Sequence, residues 1–580
     1  MPISTRQLAV RRLCTYVLAA AVASRASLAV GAQAGDLDPT FNGGQPLLVD
    51  VIRTIPRGTI FSAVAFDPAG NLLITGNATD GDGRTAVVLV RVTASGVLDT
   101  SFASAGSQVL SLGLGTMPFS SASSIAPHAG GGWLLAGGTT DTDGRGALLT
   151  AALDNNGILD GAYGSGGVVR SQPASATQSS YASRSDVTSD GSVLFAGTIQ
   201  VDGVTTSLAV ARVTYDGFPD ADFGNQGAKG AFVGSFSQSA TTPTTMGGDV
   251  IVTPDGILVS GTTSDSLGRP QILLVRLTPA GALDPQFGSG GVVRYQAADP
   301  SALPRDSNGT AMAVAPGGKI YVAGNATNAD NAYTFAVSRF TADGLVDGSF
   351  GTNGTRHIQP APANNPGFLS DVVVQPDLKV LLLGSVRIDA ATNQHELVLL
   401  RLQPEGDLDG SFGGTGVLRI RIGETGAGRA TLSPDAASVV VTGVAVPGSM
   451  ANGLVARVLL AAPTTTTTLP AGCTAAPSVA GAACRIGRIG DEVGAAVPSG
   501  KVQRRLLRVL RAADKRMAAA ETLNGRPLRR TLRKAAARMR RVGRLLLSKA
   551  ATRAIDDAER KQLVTVTSDV TGELEALVGP

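Results

Sequence analysis

The stretch Leu37-Asp38-Pro39-Thr40-Phe41 returns six more times along the chain. Its later copies are Leu98-Asp99-Thr100-Ser101-Phe102, Leu159-Asp160-Gly161-Ala162-Tyr163, Pro219-Asp220-Ala221-Asp222-Phe223, Leu283-Asp284-Pro285-Gln286-Phe287, Val346-Asp347-Gly348-Ser349-Phe350 and Leu408-Asp409-Gly410-Ser411-Phe412. The aromatic residues stand 61, 61, 60, 64, 63 and 62 residues apart, so the chain is an array of seven units of one supersecondary design.

Two other positions keep the same period. A glycine closes an apolar run at 76, 137, 197, 261, 324, 384 and 443, and an arginine follows about fifteen residues later at 91, 212, 276, 339, 401 and 457, with Ala152 in its place in the second unit. Each unit reads as four short strands, as in Leu47 to Val51, Ser62 to Phe66, Leu72 to Thr75 and Ala86 to Val92, separated by Asp, Gly, Pro and Asn. Before Cys484 only Glu396, Glu405 and Glu424 are glutamate among 35 acids. Aspartate in turns, rather than glutamate on helix faces, is the chemistry of an all-β chain.

Seven four-stranded units close into a β-propeller or stack into a solenoid. Closure hides the sheet edges that hairpins would otherwise expose, so the expected fold is mainly β, a seven-bladed propeller. The last unit ends near Leu460 without its own Leu-Asp motif while the first begins with one, which predicts that residues 37–44 latch onto the last blade.

These residues resemble the delta-60 repeat family, bacterial proteins whose units carry a Leu-Asp-x-Ser-Phe-Gly motif, a Pro-Asp-Gly turn, an apolar strand ending in Gly and a strand ending in Arg. The resemblance covers about residues 36–460 and departs from the pattern at Ala152, Tyr163 and the fourth copy. It implies a β-propeller-like domain, mostly in exported proteins, with no shared catalytic activity.

A feature repeated in every unit belongs to a scaffold, since chemistry is done once per protein. Asp38, Asp99, Asp160, Asp220, Asp284, Asp347 and Asp409 are expected to accept backbone N–H bonds in their turns or to pair with the arginines. Phe41, Phe102, Tyr163, Phe223, Phe287, Phe350 and Phe412 should wedge between sheets, and the glycines should permit close backbone approach. Trp133, the only indole, reads as a core strand residue beside Leu134 and Leu135.

The N-terminus has the form of an export signal over residues 1–34: Arg6, Arg11 and Arg12 precede an apolar run from Leu13 to Ala23. Ala32-Gln33-Ala34 and Ala21-Val22-Ala23 both fit a cleavage site. The expected location is periplasmic, cell-surface or extracellular, with no membrane-spanning segment in the mature chain. Without residues 1–34 the basic and acidic residues number 45 each, but unevenly: 23 against 35 up to Cys484, and 22 against 10 after it. A propeller over 35–462 is thus acidic and is followed by a basic tail.

Residues 463–484 form a linker, a threonine run flanked by proline, with Cys473 and Cys484 expected to pair in an oxidising compartment. In residues 485–580 the hydrophobic period becomes helical, with stripes through Val502 to Ala520, Leu528 to Leu546 and Leu563 to Leu577, which predicts a basic three-helix bundle. Arg504, Arg505, Arg508, Arg529, Arg530, Arg533, Arg540, Arg541 and Arg544 are polyanion-binding candidates for an anionic envelope polymer or lipid headgroups. The tail lacks aromatics, which argues against base stacking on nucleic acid.

Asp80, Asp82, Asp141 and Asp143 offer oxygen ligands for calcium, though fewer than a full calcium loop supplies, and Asp-Gly equally suits a tight turn. Otherwise no cofactor is expected. His128, His357 and His395 lack metal-ligand spacing, and no nucleophile elbow occurs. The expected function is non-catalytic binding or scaffolding, with propeller loops meeting a protein or glycan. The alternative is an extracellular hydrolase or lyase using loop carboxylates, which would need a deep channel with acids converging from several units.

Overall fold

Near-continuous runs of valine, leucine, isoleucine and alanine, buried on both faces as in Thr85–Val92 and Pro270–Leu277, are separated by glycine and Asx turns, so every unit folds as consecutive antiparallel strands. The computed structural model describes residues 32–461 apart from short loop stretches, and beyond them chiefly 501–520 and 525–546. The chain divides into two units between Pro463 and Thr464.

The first unit is a seven-bladed β-propeller. In the fourth blade the strands Thr245–Thr253, Gly256–Ser264, Pro270–Leu277 and Val292–Tyr295 lie side by side in chain order, from the channel outward, and every other blade but the last repeats this. The cores lie between blades: Leu194, Val210 and Phe223 of blade 3 pack with Val259 and Leu273 of blade 4. Trp133 is buried between blades 1 and 2.

In six of the seven blades the strand-closing glycine sits opposite a bulge in the channel-side strand. Gly261 pairs with Gly247 where the register shifts before Asp249, and a Cβ on Gly261 would lie 2.1 Å from the Met246 carbonyl oxygen. Only glycine fits there.

The repeat is out of phase with the blade. The Leu-Asp-x-x-Phe segment lies between the third and fourth strands of one blade, so the strand after it completes that blade rather than starting the next. The first copy has no blade of its own. Leu47–Val49 instead pairs antiparallel with Asn452–Leu459, with Leu48 opposite Leu454, and completes blade 7. Ahead of it the N-terminal segment rebuilds the missing turn: Gly35 N–H donates to Leu459 O at 2.8 Å, Leu459 N–H to Asp36 O at 2.9 Å and Gly413 N–H to Ala34 O at 2.8 Å. In blade 1 the matching bonds are Gly96 to Thr93, Thr93 to Val97 and Asn42 to Ser95. Ala34 is buried in the core of blades 6 and 7.

The second unit contains helix α1 (Lys501–Ala520) and helix α2 (Gly525–Leu546), packed through Leu506, Val509, Ala513 and Met517 against Leu532, Ala535, Met539 and Val542. Of the third stripe only Leu574 is described; it is helical, as is neighbouring Thr567, and it joins this core. Ile486, Ile489 and Val493, also helical, join it from the other side of α1 in sequence.

Removal of the wedge by Phe287→Ala should cost about 3–5 kcal/mol in denaturant unfolding. A protein beginning at Gly35 should be about 1–2 kcal/mol less stable than one beginning at Ala32, because it lacks the Ala34 carbonyl and methyl. Deletion of residues 32–46 should abolish the cooperative transition, and an unchanged melting temperature would show that the ring closes without the latch.

Candidate functional site

The recurring aspartates and arginines meet across the turn between third and fourth strands. Arg91 Nε lies 2.7 Å from Asp99 Oδ2, and Arg276–Asp284, Arg339–Asp347, Arg401–Asp409 and Arg457–Asp38 pair at 2.6, 2.9, 2.8 and 2.7 Å. Arg212 and Asp220 are looser, at 3.2 Å. The other carboxylate oxygen accepts the N–H two residues on, as at Ser101, Gln286 and Ser411. Burial opposes ionisation of Asp409, but Ser411, Arg401 and Lys379 together outweigh it and hold its pKa at about 2. Asp160, opposite Ala152, keeps its backbone bond to Ala162 alone among these contacts.

The same arginines reach forward. Arg91, Arg276, Arg339 and Arg457 donate through Nη1 to the carbonyls of Asn155, Ala342, Pro404 and Ala94 in the next blade, at 3.2, 2.9, 2.6 and 2.8 Å. Five of the guanidinium groups also lie 4.8–5.0 Å above the motif phenylalanine. All seven motif aromatics are buried, each against the turn of the following blade, as Phe287 is against Gly344. This set of contacts commits the recurring carboxylates to the scaffold.

A second cluster lines the central channel and is not repeated. At the channel-side position about thirteen residues before the strand-closing glycine, the seven blades carry Ala63, Ser124, Arg184, Asp249, Ala311, Asp371 and Arg429. Arg184 of blade 3 contacts Asp249 of blade 4 at 3.0 Å and reaches across the ring to Asp371 of blade 6 at 2.6 Å, and it also donates to Ser370 O. Arg429 of blade 7 crosses to Ser123 O of blade 2 at 3.1 Å. Asp249 accepts the Met312 N–H and Asp371 the Ala430 N–H, each from the next blade.

Burial would neutralise Arg184, but its two aspartates override it and hold the charge. Burial and then the charge of Arg184 push the Arg429 pKa down to about 10. Asp186, which accepts Val252 N–H at 2.8 Å, is raised mainly by burial. Acids do converge on the channel, but Asp249 and Asp371 are consumed by Arg184 and backbone amides. The sequence carried a signal for this cluster: all seven residues lie about thirteen positions before the strand-closing glycine.

Beside Arg184 a cavity of about 500 Å³ opens over blades 3, 4 and 5, lined by Ser183, Thr198, Met246, Thr262, Asn308 and Tyr333 among others. Thr198 accepts Gly247 N–H, Thr262 accepts Gly309 N–H and Tyr333 accepts from Asn308 Nδ2 at 2.7 Å. Among the described residues their own hydroxyl protons have no acceptor, so three O–H donors are available at this opening. Burial, then Asp306, raises the Tyr333 pKa.

Of the calcium candidates, Asp80 lies outside the described residues. Asp141 accepts N–H bonds from Asp143 and Arg145 in its own turn, Asp143 pairs with Arg145 at 2.5 Å, and Asp82 pairs with Arg84 at 3.3 Å. Among the described residues no three His, Cys, Asp or Glu side chains gather as for a metal. Cys473 and Cys484 lie outside the described residues. Arg504, Arg505 and Arg508 on α1, and Arg529, Arg530, Arg533, Arg540, Arg541 and Arg544 on α2, are exposed. A groove of about 380 Å³ brings Arg504, Arg505 and Arg508 together with Arg538 and Arg541.

Residues 68–102, 253–287 and 316–350 match a family described as a β-propeller domain of unknown function, DUF5122. Each match ends on the motif phenylalanine. No curated protein matches the chain. Similar solved structures include a Dyadobacter fermentans protein of unknown function, at 14% identity over 58% of this chain and 93% of that one, with a TM-score of 0.35. The Penicillium chrysogenum α-L-arabinanase complexed with arabinobiose is 11% identical over 72% and 99%, with a TM-score of 0.32. The WD40 domain of SCAP from fission yeast is 11% identical over 72% and 98%, with a TM-score of 0.33.

Arg184→Gln would leave Asp249 and Asp371 buried without their cation and should cost about 3–5 kcal/mol. Arg84→Gln, which removes an exposed pair, should cost about 0–1 kcal/mol. Urea unfolding of the two variants side by side checks this, and equal losses would mean that the channel cluster bears no load.

Proposed function

We propose that this chain is an exported, non-catalytic binding or scaffold protein of the delta-60 repeat type, with the propeller as an interaction platform and the basic helical unit as a tether to the cell envelope. The observation that carries this reading is the commitment of the acids. Six of the seven recurring aspartates pair with arginine, and Asp249 and Asp371 are locked across the channel by Arg184. A hydrolase or lyase working through carboxylates needs one acid free to give or take a proton and another to attack or stabilise, and these are held as ion pairs.

The platform reading is supported by the opening over blades 3, 4 and 5. Hydroxyls from Thr198, Thr262 and Tyr333 face a cavity flanked by Met246, a set suited to a neutral, acceptor-bearing ligand such as a glycan or a peptide segment. The tether reading is supported by the separation of charge, an acidic propeller and a tail with 22 basic residues against 10 acidic ones. Among the described residues no helix is long and apolar enough to cross a membrane, so attachment would be electrostatic.

Purified protein from Ala32 to Pro580 should be retained on isolated cell envelopes and released as salt rises, while protein ending at Pro463 should not be retained. Equal retention of both, or of neither, would remove the tether from the proposal.

A further inference from the structure

Helices α1 and α2 are separated by four residues and share a buried seam, so they run antiparallel, and the first half of α1 lies beside the second half of α2. Along one side of this seam Arg504, Arg505, Arg508, Arg538 and Arg541 line a single groove floored by Val509 and Ala512. None of the five pairs with an acid among the described residues. The two helices together contain one acid, Asp514.

This arrangement works against the helices that carry it. Arg504 and Arg508 are four apart, and Arg505–Arg508 and Arg538–Arg541 three apart, so each is a like-charge neighbour pair that weakens a helix by about 0.2–0.5 kcal/mol. A pair of helices that needed only solubility would interleave glutamate at those spacings. Five forks with no acid partner among the described residues converge on one groove and are satisfied by an anion with oxygens in several directions, which is the geometry of phosphate.

The five guanidinium groups span one turn of each helix, from Arg504 to Arg508 on α1 and from Arg538 to Arg541 on α2, more than one phosphate needs, which suits a chain of such groups. Residues 464–580 contain no Phe, Tyr or Trp, so bases would find nothing to stack on. Neither helix exposes a large apolar side chain among the described residues, so there is nothing to insert between lipids.

Resting on the tether reading, we infer that the groove between α1 and α2 binds successive phosphates of an extended phosphate-bearing polymer, clasped by arginines from both helices. Arg505, Arg508 and Arg541 are exposed and act on the polymer directly, while Arg538 lines the groove partly buried. Specificity comes from the two-helix arrangement rather than from total charge.

Long-chain inorganic polyphosphate, added to the full-length protein and followed by calorimetry over a range of salt, is the probe. Arg505→Gln, Arg508→Gln and Arg541→Gln together should weaken binding at least about tenfold more than Arg529→Gln, Arg530→Gln and Arg533→Gln together, which remove the same charge outside the groove. Without polyphosphate the groove triple should melt no lower than the parent, since it relieves repulsion. Polyphosphate should raise the melting temperature of the parent and not of the groove triple.

Equal losses from both triples would overturn the groove and leave a diffuse electrostatic tether standing. Tighter binding to phosphatidylglycerol vesicles than to polyphosphate would overturn the polymer in favour of a lipid surface. Binding to neither polyphosphate nor envelopes would overturn the groove and the tether reading together.

Discussion

A ring of blades is only as strong as its joints, and here the joint is an arginine held three ways. Its Nε meets the aspartate of its own turn, its plane covers the motif phenylalanine, and its Nη1 reaches a carbonyl of the next blade, as Arg339 does with Asp347, Phe350 and Pro404. The aspartate fixes the fork, the phenylalanine shields it, and a turn glycine such as Gly344 admits the ring edge. Six of the seven joints use this arginine, five of them with all three contacts, while Arg212 keeps only the aspartate and the carbonyl. The joint from blade 2 to blade 3, where Ala152 replaces it, is bridged differently: His128 stacks on Tyr215 with ring centroids 4.6 Å apart. Tyr215 occupies the turn position whose carbonyl the arginine would otherwise reach, so the joint survives loss of its usual cation.

The same logic explains what was legible in the sequence. Period, blade count and strand-closing glycines could be read because each joint imposes the same residues, and the unmatched first motif predicted the latch. The phase of the blade could not be read from the repeat. A cyclic pattern has no marked beginning, so the assignment of Leu47 to Val51 to the first unit was as consistent with the spacing as its true place in blade 7. The pairing of Leu47–Val49 with Asn452–Leu459, with the bonds from Gly35 N–H to Leu459 O and from Leu459 N–H to Asp36 O ahead of it, distinguishes the two.

The channel cluster was missed for the opposite reason. Arg184, Asp249, Asp371 and Arg429 occupy one repeat position, but in the other three blades that position holds alanine or serine. Recurrence marks the scaffold, so a search for what recurs passes over a set whose members differ. Each residue by itself resembles any other charged residue near a strand, and only alignment of the units on the closing glycine reveals two cations and two anions at one level of the channel.

That level is where repetition has to fail. Seven identical small residues would leave a wet hole through the middle of the ring, whereas seven identical charges would repel one another across it. Neighbour pairing alone cannot balance an odd ring. The chain resolves this with contacts across the ring: blade 3 to blade 6 through Arg184 and Asp371, and blade 7 to blade 2 through Arg429 and Ser123. Non-adjacent blades are thereby tied directly, which the peripheral arginines cannot do, and the hydroxyl-lined opening over blades 3 to 5 is left resting on a rigid, electrically balanced floor. The two departures from the repeat share Arg184, which anchors the cluster and lines the opening, and any specificity the platform has must come from such departures.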